Sequence, residues 1–234
     1  NLNDENNKNF CWMAPTGEMS KKWGALPRYN FDADNFNMWQ YVDIHSNWTN
    51  GFWRVPGAFN DVAHKNGVKT GCTYFIDWGA GVNQMEEPGK TLYELATPGT
   101  NSYGDKYKYS RKLIQFLKYY GIDGLCFNPE GTWGMTLYQR FIPFLAECHK
   151  IAKELNHPFH VDWYAYVSNY GQLSDNSCRL DANNQNWFSY TASQQTGNVT
   201  AFNGLPVTDV FFLNYNWDEN DLSVSAATAK SHGR

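Results

Sequence analysis

The stretch that most restricts how this chain can fold runs over 119–133, YYGIDGLCFNPEGTW. A basic, amphipathic run closes at Gly121, an apolar run over 122–127 follows, and Asn128 and Glu130 then stand two positions apart. A short apolar run bounded by Gly and Pro reads as a buried strand. Side chains along a strand alternate faces, so Asn128 and Glu130 share one face with Cys126 and Gly124, while Leu125 and Phe127 take the other. Pro129 has no N–H and holds Asn128 extended, so sheet pairing is expected to stop here and the two polar groups to emerge at the strand's C-terminal end. Glu130 is the candidate general acid and Asn128 its neutral companion.

Around this strand the pattern alternates. Strands are predicted near 10–14, 41–46, 68–76, 122–128, 159–165 and 207–215, and helices over 56–66, 105–120, 136–155, 183–190 (short) and 221–230, with a long polar connection over 79–103. Strands separated by helices argue for parallel pairing in chain order, because a parallel neighbour needs a crossover. From the residues alone this α/β pattern fits either a doubly wound sheet or an unfinished (β/α)8 barrel. Residues 1–9, NLNDENNKN, read as a frayed N-terminus, and 10–234 as one domain.

Composition excludes several function classes. The net charge is −4 and no basic run exceeds two residues, which argues against nucleic acid or an anionic membrane as partner. No stretch is long and apolar enough for a membrane span. The five cysteines include no CxxC and read as small buried hydrophobes rather than a disulfide framework. No GxSxG, P-loop or HExxH occurs, and 79–84 lacks the third glycine of a dinucleotide fingerprint, so no cofactor and no metal are expected. Aromatic residues reach 17%, enough for both a core and flat platforms under apolar ligand faces. The chain starts at Asn1 without Met and carries two glycosylation acceptor patterns, at Asn47 and Asn198. The expected location is secreted, periplasmic or cell-surface, with the cytoplasm left open. Oligomeric state is not legible.

The string DGLCFNPE at 123–130 resembles the fourth-strand motif of glycoside hydrolase family 85, the endo-β-N-acetylglucosaminidases that cut between the two core GlcNAc residues of N-linked glycans. YVDIH at 41–45, AHKNGVKTGCTYFIDW at 63–78, DWY at 162–164 and FFLNYNW at 211–217 are similar to family blocks in the same order. The resemblance implies a (β/α)8 TIM barrel of which this chain holds about six units, so that the domain is incomplete at its C-terminus.

It also implies roles. Glu130 would be the proton donor, Asn128 would orient the substrate's 2-acetamido group, and Tyr164, at the end of the fifth strand, would contact both. Trp217 would line the sugar cleft, and Asn214, Trp78, Asp77 and Trp163 are placed with it as substrate-binding residues. The partner implied is an N-glycan or glycoprotein, and the reaction is substrate-assisted, with retention through an oxazoline. Two departures stand out: the usual Trp-Tyr-Asp-Ser is here Trp163-Tyr164-Ala165-Tyr166, and the usual Trp-Gln-Asn is Ser174-Asp175-Asn176. These bear on which glycans are accepted more than on the reaction. Two alternatives stay open: a glycan-binding barrel without turnover, and a retaining glycosidase pairing Glu130 with Asp77 or Asp162.

Overall fold

The computed structural model describes residues 11–14, 36–48, 55, 57–76, 89–131, 134–169, 178–189 and 206–233, with 11–14, 47–48, 76, 89–90 and 134–139 described by their backbone. Six strands, β1 (Cys11–Ala14), β2 (Ile44–Trp48), β3 (Lys69–Ile76), β4 (Gly124–Pro129), β5 (His160–Tyr164) and β6 (Val210–Phe212), form one sheet in chain order. The pairs β1–β2, β2–β3 and β5–β6 run parallel. Between strands lie α1 (Gly57–Lys65), α2 (Gly89–Leu95), α3 (Ser110–Tyr120) and α4 (Gly134–Glu154), and α5 (Glu219–Ser231) follows β6. The chain divides into two compact units, Asn1–Phe75 with Phe116–Cys126, and Ile76–Gln115 with Phe127–Arg234.

In the first unit, Val42, Phe59, Ala63 and Val68 form a core against which Phe36, Trp39 and Val55 pack. Gly67, at φ +75°, reverses the chain between α1 and β3, where a side chain would be strained. Asp123, just before β4, accepts the Thr70 N–H of β3 at 2.7 Å and lies 2.7 Å from His64 Nε2 of α1. The second unit repeats the arrangement. Asp209, just before β6, accepts the Val161 N–H of β5 at 2.8 Å and lies 3.5 Å from His149 Nε2 of α4. In each case an acidic residue at a strand start ties the neighbouring strand to the helix that precedes it. That fixes register at the end of the sheet opposite the strands' C-termini.

Among the described residues, the second unit has the larger aromatic core. Phe127 of β4 packs edge-on against Phe141 of α4 and tilts over Trp163 of β5, at centroid distances of 5.3 and 5.6 Å. Trp163 in turn stacks on Trp187 at 4.0 Å with planes 11° apart.

The structure corrects several expected elements: the strand expected over 207–215 is Val210–Phe212, and the short helix expected over 183–190 is a 3-10 turn, Gln185–Trp187. Part of the connection expected over 79–103 is the helix Gly89–Leu95, which buries Leu92 and is followed by buried Ala96. Its seven residues are too few for a helical period to stand out among the surrounding glycines. The second strand begins later than expected, because Trp39–Tyr41 is a 3-10 turn that leaves Tyr41 exposed. The helix expected from 105 starts at Ser110, since Asn101 and Asp105 hold the preceding loop. Asn101 Oδ1 accepts the Tyr103 N–H at 2.9 Å, and Asp105 takes two hydrogen bonds from Arg111, at 2.7 and 2.8 Å.

One buried group makes stability depend on pH. His45 is 0% exposed, ringed by Phe36, Trp39 and Phe59, and neither ring nitrogen has a hydrogen-bond partner among the described residues. Burial lowers its pKa from 6.5 to about 4. Below pH 6.5 the unfolded chain therefore binds a proton that the folded one refuses until about pH 4, and stability falls across that window. The loss saturates at about 3 kcal/mol, at 1.36 kcal/mol per pKa unit. Urea midpoints measured from pH 7.5 to 4 should show this slope in the native protein and a shallower one in His45→Phe. Equal slopes would mean that His45 is hydrated and ordinary.

Candidate active site

β4 is buried along its whole length, as expected for a strand covered on both faces. It carries Asn128, buried, to its C-terminal end, where Glu130 follows half-buried. Asn128 Nδ2 donates to Glu130 Oε1 at 2.9 Å. The structure thus brings together the amide and carboxyl that alternation placed on one face. The strand runs through Pro129 rather than stopping at Asn128, a shift of one residue.

β5 alternates in the same way. Val161 and Trp163 face the apolar side with Phe127, while Asp162 and Tyr164 face the other. Burial, and next the negative charge of Glu130, push the Tyr164 phenol up to about 12. At neutral pH it is a neutral O–H, able to donate a hydrogen bond beside a carboxyl. Asp162 is 0% exposed and lies 3.0 Å from His160 Nδ1, which engages it within the fold.

Trp163 is corrected. Wholly buried between Phe127 and Trp187, it offers no ring face to a sugar and is a core residue. The strand period decides this, because a residue next to Tyr164 must point the opposite way. Asp77 and Trp78 lie outside the described residues.

Beyond β6 the chain turns outward. Asn214 Oδ1 accepts the Tyr215 N–H at 2.7 Å, and a capping box of Asp218 and Asp221 then starts α5. Trp217 is 49% exposed and Tyr215 93%, so both present rings to solvent. Tyr215 and Tyr166 each add to the upward shift of Tyr164, and neither was assigned a site role from the sequence. Both lie beyond the end of a strand, where side chains have no fixed period, so the sequence carried no signal for either. Among the described residues, no group of three or more His, Cys, Asp or Glu could hold a metal ion, and no helix is long and apolar enough to cross a membrane.

Residues 17–234 match the family model of glycosyl hydrolase family 85. The chain belongs to this family. A family 85 assignment agrees with two relatives named cytosolic endo-β-N-acetylglucosaminidase. The one from Danio rerio is 26% identical over 85% of this chain and 24% of its own length. The one from Gallus gallus is 26% identical over 80% of this chain and 22% of its own length. The chain therefore spans under a third of either relative.

The crystal structure of the glycoside hydrolase domain of Endo-D from Streptococcus pneumoniae R6 superposes with a TM-score of 0.72 at 24% identity, covering 97% of this chain and 33% of that one. The fold of this family 85 chain is accordingly the (β/α) TIM barrel, of which its described residues supply six strands of one sheet. The secreted, periplasmic or cell-surface location expected from the sequence is overturned, since both named relatives are cytosolic enzymes. A missing initial Met and chance acceptor tripeptides carry no information on compartment.

Proposed function

We propose that this chain carries the catalytic residues of an endo-β-N-acetylglucosaminidase acting on the GlcNAc-β1,4-GlcNAc core of N-linked glycans, with the sugar's own 2-acetamido oxygen as nucleophile. The observation that carries this reading is the 2.9 Å hydrogen bond from Asn128 Nδ2 to Glu130 Oε1 at the end of β4. In substrate-assisted catalysis the acetamido oxygen replaces a second carboxylate as nucleophile, and an amide beside the acid is suited to orient it.

In this mechanism Asn128 hydrogen-bonds to the acetamido group and aims its oxygen at the anomeric carbon. Glu130 gives its proton to the departing GlcNAc oxygen as the C–O bond breaks and the acetamido oxygen closes on the anomeric carbon, giving an oxazolinium ring whose nitrogen keeps its proton. The resulting carboxylate then takes a proton from the incoming water, which opens this ring at the same carbon from the other side, so configuration is retained. Tyr164, held neutral, donates to the acetamido group or to the Glu130 carboxylate, and Trp217 with Asn214 lines the sugar cleft. Asp77 and Trp78 belong to the same proposed binding set. The buried pairing of Asp162 with His160 counts against Asp162 as a second catalytic carboxylate.

The test is incubation of the full-length protein with a glycan carrying the GlcNAc-GlcNAc core. Product followed by NMR from the first turnover should be the glycan ending in a β-configured GlcNAc, with one GlcNAc left on the aglycone. An initial α-product, or cleavage at another linkage, would rule the mechanism out.

A further inference from the structure

Tyr166 lies two residues beyond Tyr164, in the turn that follows β5. Their rings are parallel, with planes 2° apart and centroids 5.7 Å apart. That is the offset-stacked geometry aromatic pairs prefer. The backbone beneath them is fixed as well. Tyr166 N–H donates to the Tyr164 carbonyl at 2.8 Å, and between them the Ala165 N–H donates to the Phe212 carbonyl of β6 at 2.9 Å. Both rings are half-buried, and the negative charge of Glu130 is felt at Tyr164.

A phenol at a strand end keeps freedom about its side-chain torsions unless something closes one side of it. A group that must meet a carboxyl and a substrate amide loses much of its effect if it is misplaced by about an ångström. We infer that Tyr166 is a positioning residue for Tyr164, its parallel ring fixing the direction in which the Tyr164 phenol points while its own hydroxyl takes no part in the chemistry. The inference rests on the function proposed above, with Tyr164 acting beside Glu130. It gives a physical role to the place where this chain departs from the usual family motif. The ring at 166 supplies by stacking an orientation that a small residue there could not.

The test uses the full-length protein and a GlcNAc-GlcNAc-linked glycan. Tyr166→Ala should lower kcat roughly tenfold, the scale of a misoriented catalytic contact, with KM changed less than about twofold. Tyr166→Phe, which keeps the ring and removes the hydroxyl, should restore kcat to within about twofold of the native value. In protein labelled with 13C at the tyrosine rings, the Tyr164 signals, identified by their loss in Tyr164→Phe, should move in Tyr166→Ala and stay in Tyr166→Phe. Should Tyr166→Ala fail to fold, Tyr166→Leu, with bulk but no ring plane, makes the same comparison.

A native kcat in Tyr166→Ala, or a loss that Phe does not restore, overturns the inference and leaves the glycosidase reading standing. If the native protein does not turn over at all, the glycosidase reading falls instead. The ring signals then decide the stacking role alone, and unchanged Tyr164 signals in Tyr166→Ala overturn it.

Discussion

Asn128→Ala and Glu130→Ala should fail in different ways. With an intact glycan both variants are expected to be poor: Asn128→Ala by at least ~10²-fold, the loss typical of one positioned hydrogen-bonding group, and Glu130→Ala by at least as much. Given a pre-formed sugar oxazoline and a GlcNAc acceptor, Asn128→Ala should still join the two, whereas Glu130→Ala should not. In the mechanism proposed above the two groups serve different steps. Orientation of the acetamido group is needed to close the oxazoline and is unnecessary once the ring is made. Proton transfer is needed both to expel the leaving sugar and to activate the incoming hydroxyl. Asn128 Nδ2 and Glu130 Oε1 are in contact at 2.9 Å. Assays of both variants in the full-length protein, with both donors, decide the matter. Full hydrolysis by Asn128→Ala, or equal use of the oxazoline by the two variants, would defeat this division of labour.

Trp163→Ala should cost about 3–5 kcal/mol of stability, the range for truncating a large buried aromatic. In a chain of this size that lowers the melting temperature by on the order of 10 °C. The cost is high because Trp163 is stacked on Trp187 and packed on Phe127, so its removal opens a cavity among rings that cannot close over it. Trp217→Ala, at a ring 49% exposed, should instead leave stability within about 0.5 kcal/mol and raise KM for the glycan. Thermal melts and steady-state kinetics on the two variants separate a core tryptophan from a sugar platform. A Trp163→Ala protein with native stability and a raised KM would return that residue to the cleft.

Much of this was written in the residues themselves. The apolar run before Asn128, the two-residue spacing to Glu130 and the turn at Gly67 are local features, and local periodicity fixes the face on which a strand side chain lies. The order of strands followed as well, because helices between apolar runs leave parallel pairing in chain order as the economical connection.

What the sequence did not contain was depth. Trp163 and Trp217 are the same residue type in similar aromatic surroundings, and only packing put the first at 0% exposed and left the second half open. His45 sits in a run that alternation describes well, yet its lowered pKa follows from Phe36, Trp39 and Phe59, brought around it from outside its own strand. Likewise Asp123 and Asp209 are ordinary residues before apolar strands. Their shared job, holding a neighbouring strand's amide near a helix histidine, exists only once chain segments tens of residues apart have met. Strand period and turn chemistry act over a few residues and can be read from the chain. Burial, and the electrostatics it sets, depend on which distant side chains exclude water, and that is decided by the tertiary structure.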